Sequence, residues 1–175
     1  MTIPEQPERI VIVGLGNPLL TDDAVGLRGA EILTERLAGT PVDVIQSAWG
    51  GMRFVDLLAG YDRAVILDAI EWRRGPPGTV YRLTTDEAIP TVRAVSYHDV
   101  SLGTALALGR TLDIPLPVEV VFFAVEAVDT RTFGEHLTPA VAAALPELVR
   151  RVEAQLMQWN VVGVSTCTKQ GSLST

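Results

Sequence analysis

Three stretches of this chain are apolar without alternation: residues 9–14 (R-I-V-I-V-G), 63–68 (R-A-V-I-L-D) and 118–125 (V-E-V-V-F-F-A-V). A strand with one wet face alternates apolar and polar residues, whereas continuous runs of this length suit strands covered on both sides. That points to a mostly parallel sheet between two helical layers. Residues 41–46 read as a further buried strand, and 79–83, which do alternate, as an edge strand. Helical spacing fills the intervals. One helix is expected from Asp22 or Asp23, as cap, to about Ala38, with Gly39 as its stop. A shorter one over 52–59 carries Val55 and Leu58 inward and ends at Gly60. Another follows Asp99 or Ser101 and shows Leu102, Ala105, Leu106 and Gly109 on one face. The last opens at Thr138-Pro139 and aligns Val141, Leu145, Leu148, Val152, Leu156 and Trp159. The expected fold is therefore α/β, a three-layer α/β/α sandwich with a twisted, mostly parallel five-stranded sheet. Residues 1–162 are expected to form a single domain, and 163–175, rich in Ser, Thr and Gly, a disordered polar tail.

Composition removes several function classes. The single lysine, Lys169, sits in the tail with no glycine-rich loop before it, so no P-loop lysine is available. The single cysteine, Cys167, allows neither an intrachain disulfide nor a Cys-x-x-Cys site. With only His98 and His136, any metal would be held largely by carboxylates. A net charge of −7 argues against nucleic acid or a membrane surface as partner. No run is long and clean enough to span a bilayer and no signal peptide is read, so a cytoplasmic location is expected.

The chemistry concentrates at strand ends, where open α/β sheets place their ligands. The first strand runs into G-L-G-N-P-L-L-T-D-D-A-V-G, residues 14–26. As a dinucleotide fingerprint this fails, because Leu19 stands where the third glycine belongs. One of Asp22 and Asp23 suffices for capping; the other is left to face the crevice above the sheet. Asp68 ends another apolar run, and His98 stands in a loop opening a helix. Each has a bland reading as a cap, turn former or loop hydrogen-bonder. Together, two carboxylates and one imidazole make a coherent ligand set for a borderline divalent cation.

These residues resemble the maturation endopeptidases of nickel-iron hydrogenases. That family starts with a strand and a G-x-G-N-x-L-x-x-D-[DE]-x-x-G loop, matched over 14–26. Gly50-Gly51 match its second, paired-glycine loop, and Asp68-Ala69 its third strand end. Residues 96–103 are similar to its histidine stretch, and Leu137-Thr138-Pro139 to the opening of its final helix. The resemblance spans residues 9–158. It implies that Asp23, Asp68 and His98 stand where the family binds nickel, supplied by the substrate, and carry catalysis. The implied partner is the precursor of a hydrogenase large subunit, from which a C-terminal extension is removed. Asn17, Gly50 and Gly51 read as substrate-contacting or loop-shaping residues. His136 and Ala24 depart from the family's usual glycines, and Asp23 fills a slot that is glutamate in some members.

Three alternatives stay open on the residues alone. Asp23 and Asp68 can act as an aspartic-protease-like pair sharing one proton, without metal. The chain can be a doubly wound module that binds a small ligand or nucleotide near Gly16 without hydrolysis, although two acids at that helix start disfavour an anion. V-G-L-G-N-P, residues 13–18, also resembles peptidyl-tRNA hydrolase, but the histidine and asparagine that follow in that family are missing here. No serine stands in G-x-S-x-G and no cysteine precedes the tail, which removes a covalent nucleophile.

Overall fold

The computed structural model describes residues 8–48, 53–85, 102–161 and 163–164. Five strands, β1 (Ile10–Leu15), β2 (Val42–Ser47), β3 (Arg63–Ile70), β4 (Val80–Leu83) and β5 (Glu119–Glu126), form one sheet in the order β2-β1-β3-β5-β4. β2, β1, β3 and β5 are parallel, and β4 pairs antiparallel to β5 at the edge. The helices are α1 (Val25–Arg36), α2 (Arg53–Leu58), α3 (Leu102–Thr111) and α4 (Pro139–Gln158). The α/β sandwich read from the apolar runs is the fold of the protein.

Side-chain alternation explains why these runs need two covered faces. From β1, Ile10 and Ile12 pack with Val65 and Leu67 of β3 under α1 and α4, where Leu33, Leu148, Val152 and Leu156 meet them. Val11, Val13 and Leu15 pack with Ala64, Ile66 and Ile70 on the other face, under Phe54 and Leu58 of α2 and Leu106 of α3. Consecutive residues of one strand thus feed two separate cores, and none of these positions tolerates a polar side chain.

Several boundaries differ from expectation for identifiable reasons. β3 does not close at Asp68. β5 continues to pair with it through Asp68↔Ala124 and Ile70↔Glu126, whereas its partner β1 stops at Gly14↔Leu67. Asp68 therefore sits at the first position where β3 has lost one neighbour and kept the other. α1 ends at Arg36, with Leu37 donating its N–H to the Leu33 carbonyl, two residues short of Ala38. Neither Asp22 nor Asp23 caps α1 with its side chain. Both lie in a 3-10 turn, Asp22–Ala24, that leads into the helix, and their carboxylates are engaged elsewhere. Thr138 stands at the cap position of α4 but its hydroxyl also goes to Asp22 and not to the helix.

Among the described residues no helix is long and apolar enough to cross a membrane. Of the expected tail, 165–175 lie outside the described residues, while Val164 packs partly buried against the core under α1 and α4.

Candidate functional site

The site is built where β1 and β3 part. From β1 the chain crosses to β2 on one side, while β3 lies on the other. Such a reversal of strand order opens a crevice outside the strands' carboxyl ends. The loop after β1 runs along this crevice, and two glycines make its close approach possible. A Cβ on Gly26 would collide with the carbonyl oxygens of Leu15 and Leu67, so the start of α1 sits directly on the ends of β1 and β3. Gly16, at φ +153°, lies against the Asp23 carbonyl, where any side chain would force loop and turn apart. The glycine spacing of the sequence is thus a demand of close approach.

The turn held this way carries two aspartates with opposite tasks. Asp22 is fully buried. Its carboxylate accepts the backbone N–H groups of Val128 (2.9 Å), Asp129 (3.1 Å) and Thr138 (2.7 Å), and the Thr138 hydroxyl (3.0 Å). It ties the turn to the whole connection between β5 and α4. Asp23 is 7% exposed, and its Oδ2 accepts the backbone N–H of Asn17 at 2.8 Å. The Asn17 side chain shapes the same loop, its Oδ1 accepting the Leu19 N–H at 3.0 Å.

Asp68 is 4% exposed and its Oδ1 accepts the N–H of the next residue, Ala69, at 2.8 Å. Alternation puts it on the same face as Ile66 and Ile70, the face that α2 and α3 cover. The 3-10 turn packs against β3, so the elements bearing Asp23 and Asp68 meet. In each case one carboxylate oxygen is fixed by a backbone N–H, which sets the side chain's direction without cancelling its charge.

His98, Gly50 and Gly51 lie outside the described residues, as do Asp99 and Ser101. Of the expected set, Asn17 and Asp23 share a hydrogen bond, and Asp68 stands on the strand against which their turn packs. Among the described residues no cluster of three His, Cys, Asp or Glu side chains stands ready to hold a metal. Two carboxylates from the turn and β3 need a third donor from elsewhere to complete such a set.

Two supporting acids escaped the sequence reading. Glu126, buried at the end of β5, accepts the Arg73 N–H at 2.8 Å and the Tyr81 hydroxyl at 2.9 Å, which fixes the connection between β3 and β4. Burial, and then the hydrogen bond to Glu126, push the Tyr81 hydroxyl above its ordinary pKa and keep it a donor. Asp129 accepts the N–H groups of Arg131 and Thr132, both at 2.9 Å. Hydrogen bonds from the Thr132 side chain and from these two N–H groups hold its pKa below the usual carboxylate value. Asp129 followed by Thr130 was the only signal of this turn, since Asp readily binds backbone N–H groups two residues on. Glu126 carried none beyond interrupting an apolar run.

Comparison with known proteins agrees with the fold. The family model for hydrogenase maturation protease matches residues 27–155. A curated relative, the hydrogenase 2 maturation protease of Escherichia coli (strain K12), is 31% identical over 160 residues, covering 89% of this chain and 95% of that protein. The solved hydrogenase maturating endopeptidase HybD from E. coli superposes with a TM-score of 0.73 at 28% identity, over 87% of this chain and 94% of that one. The [NiFe] hydrogenase maturation protease HybD from Thermococcus kodakarensis gives a TM-score of 0.62 at 25% identity, over 84% and 98%. The chain belongs to the hydrogenase maturation protease family. It is a hydrolase that processes a hydrogenase precursor.

Proposed function

We propose that the chain removes the C-terminal extension of a [NiFe]-hydrogenase large-subunit precursor that already carries nickel, and that Asp23, Asp68 and His98 recognise this nickel. The observation that carries the reading is the burial of two carboxylates, Asp23 and Asp68, on elements that meet at the crevice between β1 and β3, each aimed by a backbone N–H. Two carboxylates and a neutral imidazole suit a borderline divalent cation. The nickel belongs to the substrate, so its contact with the site places the neighbouring polypeptide, and a precursor without metal is bound poorly. In this reading one of the two carboxylates, Asp23 or Asp68, takes the proton of the water that attacks the positioned peptide bond. Asn17 holds the loop that aims Asp23; Gly50 and Gly51 are assigned to substrate contact by their match to the family's paired-glycine motif.

The test is cleavage of nickel-loaded and nickel-free precursor by the wild type and by Asp23→Asn, Asp68→Asn and His98→Ala, with the released extension followed by mass spectrometry. The expected result is clipping of the loaded precursor by the wild type, lost in all three variants and with nickel-free precursor. Clipping that survives both nickel removal and His98→Ala makes Asp23 and Asp68 a proton-sharing pair instead. Saturable binding of a nucleotide, with no clipping, would return the chain to the class of small-ligand modules.

A further inference from the structure

Large apolar side chains stand in water beside this site on an unusually well-tied backbone. Phe133 is 80% exposed, Leu19 59% and Val128 55%. Leu19 belongs to the loop after β1 and the other two to the connection between β5 and α4. The two segments are laced together. Leu20 and Phe133 form an isolated antiparallel bridge, Gly134 donates its N–H to the Leu19 carbonyl at 3.0 Å, and Thr21 donates both its N–H (3.1 Å) and its hydroxyl (2.8 Å) to the Thr132 carbonyl. Asp22 seals the seam from below through Val128, Asp129 and Thr138. These side chains are not exposed because their backbone is loose. They are held out.

We infer that the edge formed by Leu19 and Phe133, continued by Val128, is the surface on which the folded body of the precursor docks, so that its extension enters the crevice beside Asp23. This rests on the peptidase reading above and names where that substrate sits. Three points favour this occupant. The edge is continuous with the site: Leu19 donates to Asn17 Oδ1, and Asn17 donates to Asp23. A large aromatic and a leucine on a prearranged backbone contribute contact area at little ordering cost, the usual make-up of an interface anchor. The chain's own segment 165–175, S-T-C-T-K-Q-G-S-L-S-T, holds a single leucine and is a poor cover for an apolar edge.

Both side chains are exposed, so polar replacements leave the fold intact, as surface changes generally do. The experiment compares Leu19→Ser/Phe133→Ser with the wild type and with Leu112→Ser, an equally exposed leucine after α3 at the opposite end of the sheet. Full-length nickel-loaded large-subunit precursor is titrated against each, cleavage is followed at steady state, and light scattering reports the oligomeric state. The docking edge predicts that Kd and KM rise about tenfold in the double variant, as loss of two anchors should cause, with kcat and thermal midpoint retained and Leu112→Ser unaffected. Unchanged Kd and KM overturn it. So does a wild-type dimer that becomes a monomer in the double variant, which assigns the edge to a second copy of the chain. A wild type that binds the precursor through this edge but never cuts it keeps the docking surface and removes the peptidase reading. Normal cutting and binding by the double variant do the reverse.

Discussion

The two ends of the sheet handle their acidic residues differently. At the amino ends of the strands the acids lie at the surface, where Asp62 accepts the Arg9 N–H at 2.7 Å and the others meet long side chains. Glu8 pairs with Arg63 at 3.1 Å, Glu119 lies 4.0 Å from the same guanidinium, and Asp43 accepts the Tyr61 hydroxyl. Burial, and then Asp43, raise the Tyr61 pKa, and Arg9 stacks over its ring. At the carboxyl ends most acids bind backbone N–H groups, Asp22 three, Glu126, Asp23 and Asp68 one each, and Asp129 two at the surface, while Glu71 accepts the Thr130 hydroxyl. Exposed ion pairs are screened and contribute little. Charge-assisted bonds to buried backbone are roughly twice as strong as neutral ones and fix loops in one geometry. That is why a site assembled from loops can hold reacting groups steadily.

Replacing Asp22 should give the largest effect of that contrast. Asp22→Ala leaves three part-buried N–H groups and a hydroxyl without their acceptor, and with up to ~1–3 kcal/mol for a fully buried group of this kind the fold should be strongly destabilised. Chemical denaturation checks this; a loss under about 1 kcal/mol, no more than an ordinary surface change, would break the contrast. Next comes Gly26→Ala, whose methyl must push α1 off the ends of β1 and β3, expected to cost ~1–3 kcal/mol and to abolish cleavage by displacing Asp23. Thermal melts and the cleavage assay, run together, report both. Glu8→Gln at the amino end should change stability by less than about 1 kcal/mol.

The smallest effect concerns pH. Glu147, on the outer face of α4, is held at a pKa of about 2 by hydrogen bonds from Arg150 and then Arg151. Its folded pKa is depressed, so the contribution is complete above its ordinary value of 4.5 and disappears as pH falls through about 2. The group is more than a third exposed, so the contribution is small. Stability curves of the wild type and Glu147→Gln should differ slightly at neutral pH and converge toward pH 2; curves that stay parallel would contradict it.

Much of this was legible in the residues, and the remainder was hidden for a physical reason. Continuous apolar runs specify β1, β3 and β5 as strands covered on both faces, whereas β2, expected to be buried, lies at the sheet edge with Asp43 and Gln46 exposed. The glycines at 14, 16 and 26 were visible as a motif, though their purpose, the seating of α1 on two strand ends, depends on β3, some forty residues away. What could not be read is which aspartate of an identical adjacent pair does which task. The bonds of Asp22 join residues 106 to 116 positions apart and all but that from the Thr138 hydroxyl end on backbone, which leaves no trace in residue type. For the same reason the seam between Leu20 and Phe133, and with it the exposed edge, emerged only from the fold.

The contrast within that pair gives the most direct test. Asp22→Asn and Asp23→Asn should be prepared side by side, with thermal midpoint and cleavage of nickel-loaded precursor measured on each. An amide oxygen at position 23 still accepts the Asn17 N–H, so Asp23→Asn should melt near the wild type and cut nothing. Asp22→Asn replaces an acceptor-only group with one whose NH2 faces backbone donors, and should lose stability clearly while any folded fraction still cuts. A stable Asp22→Asn that is inactive, or an Asp23→Asn that cuts normally, would contradict the division between an aspartate that builds the site and one that works in it.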